Sequence, residues 1–151
     1  MGQTLAKLYI HLIIGTKEKV PIIEEEWEDS IYASILKALK NLDCPPLIIN
    51  GANDHVHLLF RISPDISLNR VVGLVKKRSA EWIRENQPKF EKFAWQKGYV
   101  AFSVSDSKLE NVKASIANQK KHHTKTSYLE EVQEFVKSYD FIEFDEKHFW
   151  N

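Results

Sequence analysis

The sequence predicts an α+β fold: an antiparallel sheet with helices on one face, followed by further helices at the C-terminal end. Three observations predict it. Runs of β-branched and apolar residues alternate with helical apolar stripes in the order β-α-β-β-α-β-α-α. Short turn signals separate the runs, with no internal repeat and no linker between them. The composition is that of a packed chain: 151 residues, 43% hydrophobic and 28% charged. The first six elements in this order are the ferredoxin-like, or RRM-like, arrangement. Residues 1–151 therefore read as a single domain.

Each element has its own signal. Residues 4–15, TLAKLYIHLIIG, are apolar, β-branched and end in glycine, as a buried strand does. Residues 24–42 open with Glu24, Glu25 and Glu26, acids that suit a helix N-terminus. Trp27, Ile31, Ile35 and Leu39 then recur at spacings of four and form one apolar stripe. Residues 47–51 make a short strand, Asn53-Asp54 a turn, and residues 55–62, HVHLLFRI, the next strand. A helix follows over 67–86 and stops at Gln87-Pro88. Residues 99–105 alternate like a strand, and Ser105 or Asp106 can cap a helix over 107–121. A last helix covers 127–138, and an aromatic tail runs from Phe141 to Trp150.

Composition excludes several classes. The 4 Trp, 5 Tyr and 8 Phe require burial, so the chain is not disordered. Cys44 stands alone, which excludes a disulfide scaffold. There is no apolar run of transmembrane length and no signal-peptide layout, so no membrane partner is expected. A reducing cytoplasm is the expected location.

Net charge is zero, but the charges are segregated. Residues 1–65 carry 6 basic and 9 acidic side chains, residues 66–125 carry 13 and 5, and residues 126–151 carry 2 and 7. The basic middle block is a candidate surface for a polyanion, with nucleic acid the commonest one. Within it, Lys76, Lys77 and Arg78 can neutralise phosphates, and Trp82 can stack on an unpaired base or fill the core.

His55-Val56-His57 carries the chemistry. Alternate residues of a strand share a face, so the two imidazoles project together while Val56 points into the core. Such a pair either chelates a divalent cation or forms hydrogen-bonded strand-surface histidines. On the 107–121 helix, Ser115 and Gln119 stand one turn apart, and the Gln119 carbonyl is a third oxygen donor. Lys113, Lys120, Lys121, His122 and His123 lie nearby and equally suit the C-terminal end of a helix.

HVHLLF after a strand and turn, then WQKGYVAFSVS, then a helix carrying IANQKKHH, together resemble the HUH single-tyrosine transposases. These are the small transposases of insertion-sequence two-hundred type elements. The resemblance runs from the first strand to the EFDEKHFW tail. It implies the ferredoxin-like fold, a homodimer, and binding of single-stranded DNA hairpins at transposon ends. It implies that His55, His57 and Gln119 hold Mg²⁺ or Mn²⁺; Lys76, Lys77, Arg78, Trp82, Lys113, Lys120 and Lys121, by their charge and aromatic character, are the residues expected to meet the DNA. It further implies a tyrosine one turn before the glutamine that attacks a phosphate and forms a phosphotyrosine link.

Ser115 stands at that tyrosine's position. Its hydroxyl is shorter in reach and far less acidic than a phenol. Tyr99 and Tyr128 are the nearest other tyrosines in sequence. Three alternatives to a cleaving transposase follow: a non-catalytic nucleic-acid-binding regulator, a metal-dependent nuclease that uses water, and a structural dimer in which the histidine pair is incidental.

Overall fold

A computed structural model of the chain describes residues 2–120, 126–138 and 149. Four strands form one antiparallel sheet. β1 (Tyr9–Gly15) and β3 (His55–Arg61) are central, β2 (Pro46–Gly51) flanks β3, and β4 (Val100–Val104) flanks β1. This is the expected ferredoxin-like order. α1 (Glu28–Asn41) and α2 (Leu68–Asn86) cover one face. α3 (Leu109–Ala117) and α4 (Tyr128–Ser138) lie on the other. The α+β class predicted from the sequence is the one observed, with the C-terminal helices on the far face.

Strand alternation divides the molecule into two cores. Leu12, Ile14, Val56, Leu58 and Phe60 point to α1 and α2. There they meet Ile31, Ile35 and Leu39, the predicted stripe of α1, and Val71, Val72, Val75 and Ile83 of α2. The intervening residues turn to the opposite face, where Ile13, Val100 and Phe102 pack against Tyr128 and Val132 of α4. The same alternation sends His11, His55 and His57 to that second face.

Element ends differ from the sequence reading for identifiable reasons. β1 begins at Tyr9 instead of residue 4, because its partners run out: Tyr9 is opposite both Arg61 and Val104, the last residues of β3 and β4. The three successive acids precede α1 instead of opening it, and Glu28 and Asp29 occupy its first turn. α2 starts as predicted, with Ser67 as its cap: the hydroxyl accepts the Arg70 N–H at 3.2 Å. α3 ends at Ala117 instead of 121, where Asn118 leaves the helical region. The aromatic tail, apart from Phe149, lies outside the described residues, as do Lys121, His122 and His123.

The basic residues of α2 divide by function. Lys76 is half-buried, and its ammonium donates to three backbone carbonyls, Gln96 O at 2.7 Å, Lys97 O at 3.1 Å and Gly98 O at 2.8 Å. That uses all three of its N–H groups on the chain itself. Burial lowers its pKa to about 8. Lys77 and Arg78 are exposed. Trp82 packs against the core and stacks on Trp27 with ring centroids 6.3 Å apart. All four belong to the helix on the α1 face of the sheet, the face opposite the histidines.

Lys76 therefore pins the segment before β4. Lys76→Met keeps the apolar stem and removes the three donors. We expect it to lower unfolding stability by about 2 kcal/mol, read from urea denaturation. An unchanged denaturation midpoint would show that the carbonyls are equally well served by water.

Candidate metal centre

The second face of the sheet carries a buried polar cluster. His55 and His57, two residues apart on β3, present both rings to α4. Their Nε2 atoms face one carboxylate, with His55 Nε2 at 3.5 Å from Glu131 Oε2 and His57 Nε2 at 3.0 Å from Glu131 Oε1. The donor atoms of these three residues lie within 4.8 Å of one another. Gln119, just past α3, completes the group, with its Nε2 donating to Glu131 Oε1 at 3.4 Å. Relative exposure is 0% for His55, 1% for His57, 2% for Gln119 and 5% for Glu131.

Local structure puts each group in place. Glu131 comes from the first turns of α4, which Ser127 caps by accepting the Glu130 N–H at 3.1 Å. Tyr128, one turn earlier, lies parallel to the His55 ring, with centroids 4.4 Å apart and planes 6° apart. Its hydroxyl donates to Gln96 Oε1 at 2.9 Å, and Gln96 Nε2 donates to Phe149 O at 2.7 Å. Gly15 is the residue beneath this arrangement. A Cβ there would collide with the Tyr128 ring and with Gln96 Oε1, so only glycine lets α4 come this close. Asn50 of β2 donates to the Ile116 and Ala117 carbonyls at 3.0 and 3.2 Å, which ties the end of α3 to the sheet and delivers Gln119.

Each histidine has a different second partner. His55 Nδ1 lies 2.7 Å from Asp54 Oδ1, so Nδ1–H donates to the carboxylate and Nε2 keeps its lone pair toward the cluster when the ring is neutral. His57 Nδ1 lies 2.9 Å from Nε2 of His11, a buried residue of β1. Burial opposes charge on His55, but the neighbouring Asp54 and Glu131 carboxylates outweigh it and raise its pKa. Burial likewise pushes the Glu131 carboxyl up, and the two imidazoles outweigh it, holding the group below the usual carboxylate range. Burial and the neighbouring His57 lower His11 to about 3.

The donor set fits a divalent metal ion. Gln119 Oε1 and Glu131 Oε2 are buried and accept no hydrogen bond from any described residue. Buried acceptors of that kind are costly unless something positive reaches them. Two imidazole nitrogens, a carboxylate and an amide oxygen match the ligands of first-row divalent cations. The sequence singled out His55, His57 and Gln119, and the structure brings these three together. It adds Glu131, which interrupts the stripe Tyr128, Val132, Phe135, Val136. An acid on the apolar face of a helix is the signal that could have found it. His11, a histidine inside the run LYIHLII, carried a similar signal.

The other sequence candidates are elsewhere. Ser115 is exposed, one turn before Gln119 but on the solvent side. Tyr99 packs toward the α2 face, where its hydroxyl donates to Asn69. Tyr128 is adjacent to His55, but it is 1% exposed, and burial raises its pKa. Lys113 pairs with Glu110 at 3.6 Å. Lys120 pairs with Glu28 at 2.9 Å and donates to Gly51 O at 2.9 Å, so it braces β2 against α1.

The shifts give a pH prediction for the metal-free protein. A histidine lowered on folding costs stability as pH falls below its unfolded value of 6.5, because only the unfolded chain takes up the proton. His55, raised on folding, is protonated in both states below 6.5, and Glu131, lowered on folding, is ionised in both above 4.5. Of these three groups, His11 alone then acts between the two values. With a chelator present, the wild type should lose about 1–2 kcal/mol more than His11→Phe between pH 6.5 and pH 5. Parallel denaturation curves for the two proteins at both pH values would refute the buried neutral His11.

Comparison with known proteins agrees with this architecture. The family model described as "Transposase IS200 like" matches residues 4–119. No curated protein matches the chain. Among solved structures, a candidate transposase from Deinococcus radiodurans R1 is similar with a TM-score of 0.62 and 23% identity, over 79% of this chain and 96% of that one. A REP-associated tyrosine transposase bound to a REP hairpin is similar with a TM-score of 0.62 and 10% identity, over 82% of this chain and 73% of that one. These likenesses are in fold, and with the family match covering most of the chain, this protein belongs to the IS200-like transposase family.

Proposed function

We propose that this chain binds single-stranded DNA hairpins of the kind found at transposon ends, holds a divalent cation at His55, His57, Gln119 and Glu131, and forms no phosphotyrosine link. The observation that carries the reading is the pairing of a metal-grade donor set with a missing nucleophile. Ser115 occupies the family position, Tyr128 is buried with its hydroxyl engaged, and Tyr99 faces the other side of the sheet. The hairpin-bound relative and the basic block at residues 66–125 support DNA as the partner.

A divalent cation held by His55, His57, Gln119 and Glu131 would supply Lewis-acid stabilisation to a phosphate and its leaving oxygen. The residues of the chain supply the rest. His55 and His57 present neutral nitrogens, Glu131 brings one negative charge, and Tyr128 and Gln96 hold the His55 ring in plane. Two imidazoles among four donors suit Mn²⁺ better than Mg²⁺, which prefers oxygen. Lys113 on the metal face and Lys77 and Arg78 on α2 are the phosphate contacts we propose, while Lys76 and Lys120 serve the fold. The outer edge of β4 has no strand partner among the described residues, which suits pairing with a second copy.

The test is covalent capture on end-labelled hairpin DNA with Mn²⁺, resolved on a denaturing gel. The wild type should give no adduct and Ser115→Tyr should give one. An adduct with the wild type would overturn the reading, and mapping the linked peptide would identify the true nucleophile. His55→Ala should weaken Mn²⁺ binding at least tenfold in calorimetry. Replacing Lys77, Arg78 and Lys113 with alanine should reduce the salt slope of hairpin binding by about 2. An unchanged slope would place the DNA on another surface.

A further inference from the structure

His11 stands behind the metal donors, and nothing in the family resemblance assigns it a role. Its Nε2 lies 2.9 Å from His57 Nδ1, with ring centroids 5.1 Å apart and planes 34° apart. Phe102 and Phe135 hold it from the other sides, at centroid distances of 6.1 and 6.3 Å. The ring is thus fixed in a largely apolar slot, and its polar contact with His57 is specific.

We propose that His11 is a positioning residue that lets His57 exchange tautomers when the centre is loaded. The proposal rests on the metal reading above. Without an ion, His57 Nε2 faces a Glu131 oxygen at 3.0 Å. A lone pair opposed to a carboxylate at that distance is repulsive, so the proton of a neutral His57 is on Nε2. Its Nδ1 then accepts, and His11 Nε2–H donates. When Nε2 becomes a metal ligand it must be bare, so the His57 proton moves to Nδ1 by exchange with water. His11 then has to accept, with its own proton on Nδ1. Each ring keeps one proton throughout, and none is gained or lost overall.

Few side chains permit this reversal. An aspartate in place of His11 would only accept and would lock His57 in the ligating form, as Asp54 does for His55. A backbone N–H would only donate and would hold His57 in the non-ligating form. An imidazole does both at one nitrogen without moving its ring, and a glutamine does both by rotating its amide. When neutral, His55 thus has its ligating tautomer fixed by Asp54, while His57 changes tautomer.

The experiment has two parts. Histidine ¹⁵N NMR on the wild type, with Zn²⁺ as the diamagnetic probe, should show His57 protonated at Nε2 with chelator and at Nδ1 with Zn²⁺. Calorimetry with Mn²⁺ should then show His11→Phe weakened 10- to 100-fold, with His11→Gln within about fivefold of the wild type. A His57 that keeps one tautomer, or is doubly protonated in the chelated protein at neutral pH, overturns the proposal. So does a His11→Phe protein that binds Mn²⁺ like the wild type. If His11→Phe does not fold, the wild-type spectra decide. A wild type that binds neither ion would instead refute the metal centre, a separate and recognisable result.

Discussion

The second face of this molecule is organised round one carboxylate set against two imidazoles. Burying Glu131 by itself would be prohibitive, and burying two histidines against apolar helices would be wasteful of their hydrogen bonds. Together they form a cluster whose charges offset one another. To reach them, α4 must lie close to the sheet, and that requirement propagates outward. It demands glycine at position 15, aligns Tyr128 with His55, and recruits Gln96 to hold the Tyr128 hydroxyl. The Lys76 pin on the other side of the sheet then has a clear purpose, since the carbonyl of Gln96 is one of the three that it holds.

The two faces do separate work. The α1–α2 face is an apolar core with a helical stripe and alternating strand residues. It would stabilise the sheet whatever lay opposite. The α3–α4 face is where polar groups are admitted, and each has a partner that dictates its orientation. Asp54 orients His55, His11 meets His57, and Asn50 ties down the end of α3. A site built this way is rigid where ligand direction matters, and its supporting groups come from β1, β2 and the turn before β3.

Much of this was legible in the chain. Period-two alternation in HVHLLF told both that His55 and His57 share a face and that Val56 does not. Spacing of four in Ile31, Ile35 and Leu39 placed α1. What could not be read was the company each residue keeps across the fold. Lys76 looks identical to Lys77 in sequence, and only the carbonyls of residues 96–98, twenty positions away, remove it from the surface chemistry. Ser115 and Gln119 look like neighbours on one helix, but the helix stops at Ala117 and their environments diverge. Glu131 joins His55 and His57 because a helix far along the chain folds back over β3. Local pattern has no access to that distance.

The Glu131 contacts also bear on how tightly an ion would be held. The donors already offset one another's charge, so an incoming cation does not fill a void. It displaces carboxylate–imidazole contacts and, at His55, competes with a proton that those contacts favour. Apparent affinity is then a difference between two sets of interactions, smaller than the ligand set alone would give. A centre of this kind would load and empty reversibly, and the helix that covers it has contacts of its own to keep when no ion is bound.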